Sequence, residues 1–187
     1  MSGAEVVATL LGLLGVGLMV RQHVWAWPVG IVQVILSAWV FWAARLYSDA
    51  VLQGIFLVLQ AYGWWAWTLG RTRAGETLPV TRLGGRGAAG FTLAGLLATA
   101  AWGEGMRRLT DSALPHADAF ILVFSVLAQW LQARKRLECW LVWIVVNFAA
   151  VGVYAARGLL LFAGLYAVFL VLAVVGYRAW RRTEVRP

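Results

Sequence analysis

The residues of this chain whose types and spacing could do chemistry are neutral amides and indoles. The stretch QAYGWWAW (60–67) places three tryptophans within four residues, beside a tyrosine and a glutamine. Gln53, Gln60, Trp64 and Trp67 follow one another at intervals of seven, four and three, which puts them along one face of a helix. Trp140, Trp143, Asn147 and Tyr154 do the same further on, while Gln33 with Ser37, and Ser125 with Gln129 and Gln132, add polar groups to two other apolar stretches. Unpaired amides in hydrocarbon are expensive, so these faces are expected to point inward. Indole faces beside amides suit a flat heteroaromatic ring joined to a hydroxylated group, and a cationic ring would gain a further ~2 kcal/mol from desolvated cation–π attraction. Packing is the competing explanation. Amides can simply join helices, at about 0.6–2 kcal/mol per pair, and tryptophans collect at membrane interfaces. An interfacial belt is expected for Trp25, Trp102 and Trp180, and for Trp67 as the end of its face.

Other chemistries find few groups to use. Glu5, Asp49, Glu76, Glu104, Asp111, Asp118, Glu138 and Glu184 are all the acids, and each falls in a connection or near the end of an apolar block. Without a carboxylate in mid-span, coupling to protons or sodium has no evident ligand, which favours passive movement of a solute. There is no GxxxxGK[ST] loop, HExxH or GxSxG. The two histidines, His23 and His116, lie near block ends, and Cys139 is the single cysteine, so neither a metal site nor a nucleophile–base pair is expected. An enzyme, a metal and a cofactor are therefore not expected.

The elements that must position the amides and indoles are membrane helices. Of the 187 residues, 62% are hydrophobic and only 13% charged, too few to cover a domain in water. Apolar blocks near 4–20, 25–44, 51–69, 88–103, 117–133, 138–156 and 159–177 each approach the ~20 residues that span a bilayer. The first block lacks a basic leading region and reads as a retained helix. Seven spans place twelve Lys and Arg on one side (Arg21, Arg71, Arg73, Arg82, Arg86, Arg134, Lys135, Arg136, Arg178, Arg181, Arg182, Arg186) and four on the other (Arg45, Arg107, Arg108, Arg157). The positive-inside rule then gives an outside N-terminus and a cytoplasmic C-terminus in a multi-pass protein of the cell inner (plasma) membrane. The basic residues act as topology signals scattered between apolar blocks, and nucleic acid is not an expected partner.

A shift of 113 residues superimposes the chain on itself. Trp27–Trp67 matches Trp140–Trp180 at 16 of 41 positions, including Trp27/Trp140, Gly63/Gly176 and Trp67/Trp180. Spans one to three thus repeat as spans five to seven, in parallel, with span four as linker. The expected division is a first three-helix bundle over 1–70, a basic cytoplasmic loop and linker helix over 71–112, and a second bundle with a basic tail over 113–187. Parallel repeats of this kind place a substrate site between the bundles near the midplane, which favours a transporter over an enzyme or receptor.

The segments WPVGIV, RLYSDAVLQ, QAYGWWAW and CWLVWIVVN, in this order, resemble the PnuC family of vitamin transporters over about residues 10–180. The resemblance implies an all-α integral membrane fold of seven helices in a SWEET-like 3+1+3 arrangement, assembled as a homotrimer in the lipid bilayer. It implies uptake of nicotinamide riboside, an NAD precursor, by facilitated diffusion, with intracellular phosphorylation trapping the product. By resemblance the substrate site comprises Gln53, Gln60, Tyr62, Trp64, Trp140, Trp143 and Asn147, with Trp64 and Trp143 flanking the ring and Gln60 and Asn147 holding ribose hydroxyls. Thiamine and riboflavin are the alternative cargoes of this fold. A mononucleotide would need a buried phosphate cradle, and the Arg and Lys residues cluster at the cytoplasmic ends instead. A non-transporting assembly subunit is the alternative in which inward Gln and Trp only pack.

Overall fold

The computed structural model describes residues 3–43, 47–70, 78–110 and 113–185. Arg45, Arg71, Arg73 and Arg186 of the charge count lie outside these residues, as do Glu76 and Asp111. Seven helices run in order: α1 (Gly3–Val20), α2 (Ala26–Ala43), α3 (Tyr47–Thr68), α4 (Gly85–Leu109), α5 (Pro115–Ala133), α6 (Glu138–Ala156) and α7 (Leu160–Arg182). At 1.5 Å rise per residue they measure roughly 27–38 Å, matching the thickness of a bilayer core. By length and composition α2, α5, α6 and α7 can each cross a membrane, and α1 contributes a shorter apolar helix over Val6–Val20. α3 carries Gln53 and Gln60, and α4 combines small residues with Glu104, Arg107 and Arg108 in its last turns. Strands are absent among the described residues, apart from two isolated bridges. The protein is an all-helical, multi-pass membrane protein.

Helices α1, α2 and α3 pack in succession, and so do α5, α6 and α7. Helix α4 packs on α5, while α3 meets α5 and α1 meets α7. The last two contacts exchange under the 113-residue shift, and the exchange extends to individual bonds. Trp27 stands edge-on to Trp67 at 5.3 Å and 81°, and Trp140 to Trp180 at 5.5 Å and 85°. Each ring lies on a glycine: a Cβ on Gly63 would come within 2.2 Å of Trp27, and one on Gly176 within 2.6 Å of Trp140. These are the close approaches that fix glycine at both positions.

The ends of α1 and α5 match as well. His23 N–H donates to Leu18 O and Gln22 N–H to Met19 O, just as Arg136 N–H donates to Leu131 O and Lys135 N–H to Gln132 O. Both are left-handed helix stops of the 6→1, 5→2 kind. The left-handed residues are Gln22 (φ 55°) and Lys135 (φ 48°), 113 apart, where glycine would be usual. Their side chains meet: Lys135 Nζ donates to Gln22 Oε1 at 3.4 Å. The local pseudo-two-fold axis therefore passes between them.

Two indole N–H groups cross that axis. Trp67 Nε1 donates to Ala133 O (3.1 Å) at the end of α5, and Trp180 Nε1 to Met19 O (3.0 Å) at the end of α1. Their rings are 5.9 Å apart. This corrects the expectation of an interfacial belt at both positions: Trp180 is fully buried and Trp67 nearly so. A buried indole N–H is stabilised by an acceptor, and carbonyls at the ends of α1 and α5 supply one to each of these two, Met19 O accepting from Gln22 N–H as well. Trp25 and Trp102 are exposed, as a belt requires.

Part of the α3–α4 connection is a strap. Val80 is buried and accepts from Val185 N–H, Thr81 exchanges hydrogen bonds with Lys135 and Leu137, and Leu83 N–H donates to Glu138 Oε2 at 3.1 Å. Arg82 pairs through two nitrogens with Glu184. The α5–α6 turn and the segment after α7 are thereby held together. Lys135 is buried in this layer with Nζ 4.4 Å from the Trp67 ring centre, and burial lowers its pKa.

Candidate substrate site

A cavity of about 1280 Å³ lies between the two helix triplets. Every polar face expected from the sequence contributes to it: Gln33 on α2, Gln53 and Gln60 on α3, Ser125, Gln129 and Gln132 on α5, and Trp143, Asn147 and Tyr154 on α6. Trp140 and Met19 line its lower part, next to the crossed tryptophans, and Thr110, Asp118 and Arg157 line its other end. Asp118 and Gln132 are both on α5, ~21 Å apart along the helix axis, so the cavity runs through much of the membrane thickness.

The charge in the lining is confined to one end. Arg157 Nη2 holds Asp118 Oδ2 at 2.7 Å, and every other lining residue among the described ones is neutral. A ligand in the deeper part meets ring faces, amides and hydroxyls. Trp143 is fixed there because its Nε1 donates to Gln132 Oε1 at 3.1 Å, a bond between α6 and α5 that orients the indole. Asn147, one turn on, is buried beside the cavity. Across the cavity, Gln60 Oε1 is buried and meets no donor among the described residues. A buried acceptor without a partner costs ~1–3 kcal/mol, which a hydroxyl-bearing ligand could recover.

The residues expected to form the site divide. Gln53, Gln60, Trp140, Trp143 and Asn147 line the cavity, but Tyr62 and Trp64 do not. The reason is helical phase. Gly63 faces the Trp27 ring, so its neighbours Tyr62 and Trp64 are turned by about 100° to either side. Trp64 is 45% exposed, and Tyr62 lies 6.0 Å from Trp65 with the Arg134 guanidinium over its ring. The ring-flanking pair Trp64 and Trp143 is therefore not assembled. Trp140 lines the cavity floor, but its ring is committed to Gly176 and Trp180 as Trp27 is to Gly63 and Trp67. An aromatic wall was missed from sequence: Tyr166 lies 5.1 Å from Tyr154 and 6.0 Å from Phe169, all three on the cavity. The repeat held the signal for it, because Tyr166 is the counterpart of Gln53.

Comparison with known proteins places this architecture. Residues 2–182 match the nicotinamide mononucleotide transporter family. The chain belongs to this family, the PnuC transporters. A crystal structure of the vitamin B3 transporter PnuC superimposes with a TM-score of 0.74 at 26% identity, over 95% of this chain and 80% of that one. Among curated relatives, the nicotinamide riboside transporter PnuC of Escherichia coli is 26% identical, over 96% of this chain and 85% of its own. The riboflavin/roseoflavin transporter RibM of Streptomyces davaonensis is 27% identical, over 98% of this chain and 88% of its own. The protein is a membrane transporter of a small molecule and not an enzyme.

Proposed function

We propose that this PnuC-family protein takes up nicotinamide riboside by energy-independent facilitated diffusion, with phosphorylation inside the cell trapping the product for NAD synthesis. The observation that carries this reading is the deep cavity between the triplets, lined by fixed indole, amides and hydroxyls, with its carboxylate already paired to Arg157 at one end. Trp143 is assigned to the pyridinium ring, and Gln53, Gln60 and Asn147 to the ribose. The mononucleotide is disfavoured because, among the described residues, no Lys or Arg lines the deep part of the cavity. In the assigned orientation the Asp118–Arg157 end faces outward and the strap faces the cytoplasm, in keeping with the Lys/Arg asymmetry. The triplets are read as a SWEET-like pair of bundles, 1–70 and 113–187, joined by the loop and α4 within 71–112. A homotrimer in the inner membrane completes the proposal.

Riboflavin is the second reading, favoured by the likeness to RibM across nearly the whole chain. Calorimetric titration of purified protein with nicotinamide riboside, its mononucleotide, thiamine and riboflavin distinguishes the cargoes. Binding of the riboside alone supports the proposal, and binding of riboflavin or thiamine alone replaces the cargo while keeping the path. Failure of all four supports a packing role in an assembly. Uptake into proteoliposomes without an ion gradient tests facilitated diffusion, and the mass in detergent tests the trimer.

A further inference from the structure

Under the 113-residue shift, Trp143 of the second triplet corresponds to Gly30 of the first, and Gln60 of the first to Ala173 of the second. All four line the cavity. Each triplet thus gives the cavity one bulky and one small residue at these positions, but the helix supplying the bulky one is exchanged. On α6 it is an indole, with alanine on α7. On α3 it is an amide, with glycine on α2.

The glycine makes room for the amide. A Cβ on Gly30 would lie 2.3 Å from Gln60 Nε2, 2.6 Å from its Cδ and 2.8 Å from its Oε1. No side chain larger than hydrogen is compatible with the position Gln60 occupies. All three of these atoms are at the free end of a flexible side chain, so a methyl group at position 30 displaces the amide without having to part α2 from α3. The displaced group is the one whose Oε1 is buried and has no partner among the described residues.

We propose that Gly30 is a positioning residue for substrate specificity: it admits the Gln60 amide into the slot that an indole fills on the opposite wall. Gln60 Oε1 then accepts from a hydroxyl on the sugar or polyol chain of the ligand while the ring lies against Trp143. The pair Gly30–Gln60 fixes which end of an elongated ring–polyol molecule faces which triplet. The inference rests on the vitamin-transport reading but does not depend on which hydroxylated vitamin is carried.

The test is a double-mutant cycle on the full-length protein, titrated with whichever of nicotinamide riboside, riboflavin or thiamine the wild type binds. Gly30→Ala is expected to weaken binding about tenfold, the size of one lost hydrogen bond, with little change in melting temperature. Gln60→Ala is expected to weaken it similarly. Adding Gly30→Ala to Gln60→Ala should then change nothing further, because the group that Gly30 positions is already gone. Wild-type affinity in Gly30→Ala overturns the inference, as does an equal loss from Gly30→Ala with and without Gln60, which would mean that the glycine acts through the backbone. A wild type that binds none of the three vitamins, nor the mononucleotide, overturns the transport reading and this inference with it, whereas wild-type binding with an unaffected Gly30→Ala removes this inference alone.

Discussion

The two triplets agree where they hold each other and differ at most of the positions where they face the cavity. Trp27/Trp140, Gly63/Gly176, Trp67/Trp180 and the helix stops at Gln22/Lys135 repeat in both position and geometry. Along the cavity the counterparts Gly30/Trp143, Val34/Asn147, Gln53/Tyr166 and Gln60/Ala173 differ in residue type, whereas Phe56/Phe169 keep the same one. Packing between two like bundles can be satisfied by the same interaction used twice. A ligand with a flat ring at one end and hydroxyls at the other has no such symmetry, and a site that binds it in one orientation must differ on its two sides.

This comparison predicts matched responses in the scaffold and unmatched ones in the cavity. The largest effect is expected from Trp180→Ala, which empties a fully buried indole site and removes the donor to Met19 O. A stability loss of ~3–5 kcal/mol is expected, and Trp67→Ala should come close to it. Thermal unfolding in detergent reads both, and a large loss from one with none from the other would break the scaffold symmetry. Next, Trp143→Ala should weaken ligand binding about 10- to 100-fold, as loss of a stacking face does, whereas its counterpart change Gly30→Ala should cost less and act only through Gln60. Gly63→Ala and Gly176→Ala should each destabilise by ~1–3 kcal/mol through overpacking, because the rings they would meet are locked against a second tryptophan. A smaller contrast concerns Asn147 and Val34. Asn147→Val is expected to weaken binding about tenfold, but Val34→Asn should not strengthen it, since an amide there has no assigned partner on the ligand.

Much of the fold was legible because apolar blocks of membrane length and repeated Trp and Gly leave direct marks on a sequence. The repeat found from Trp27/Trp140 and Gly63/Gly176 is the packing that the structure displays. Trp64 falls off the cavity because a spacing of seven, four and three tolerates a phase error, and Tyr62 entered the expected site through the resemblance alone; the contact of Gly63 with Trp27 fixes the rotation of α3. Trp67 and Trp180 were misread as interfacial because their acceptors, Ala133 O and Met19 O, belong to distant helix ends. The burial of Lys135 was hidden for a similar reason: it follows from the strap and from a left-handed helix stop, neither of which has the usual glycine signature. Gly30 was silent as a functional residue because its contribution is the absence of a side chain.

The central claim is that the unlike residues of the two triplets make one oriented site for a ring-bearing vitamin. Titration of nicotinamide riboside into wild type and Trp143→Ala, with melting temperature followed in parallel, tests it most directly. Saturable binding to the wild type and a large loss in the variant at nearly unchanged stability are expected. Equal binding by both proteins would contradict it, as would a loss of binding that only accompanies loss of the fold.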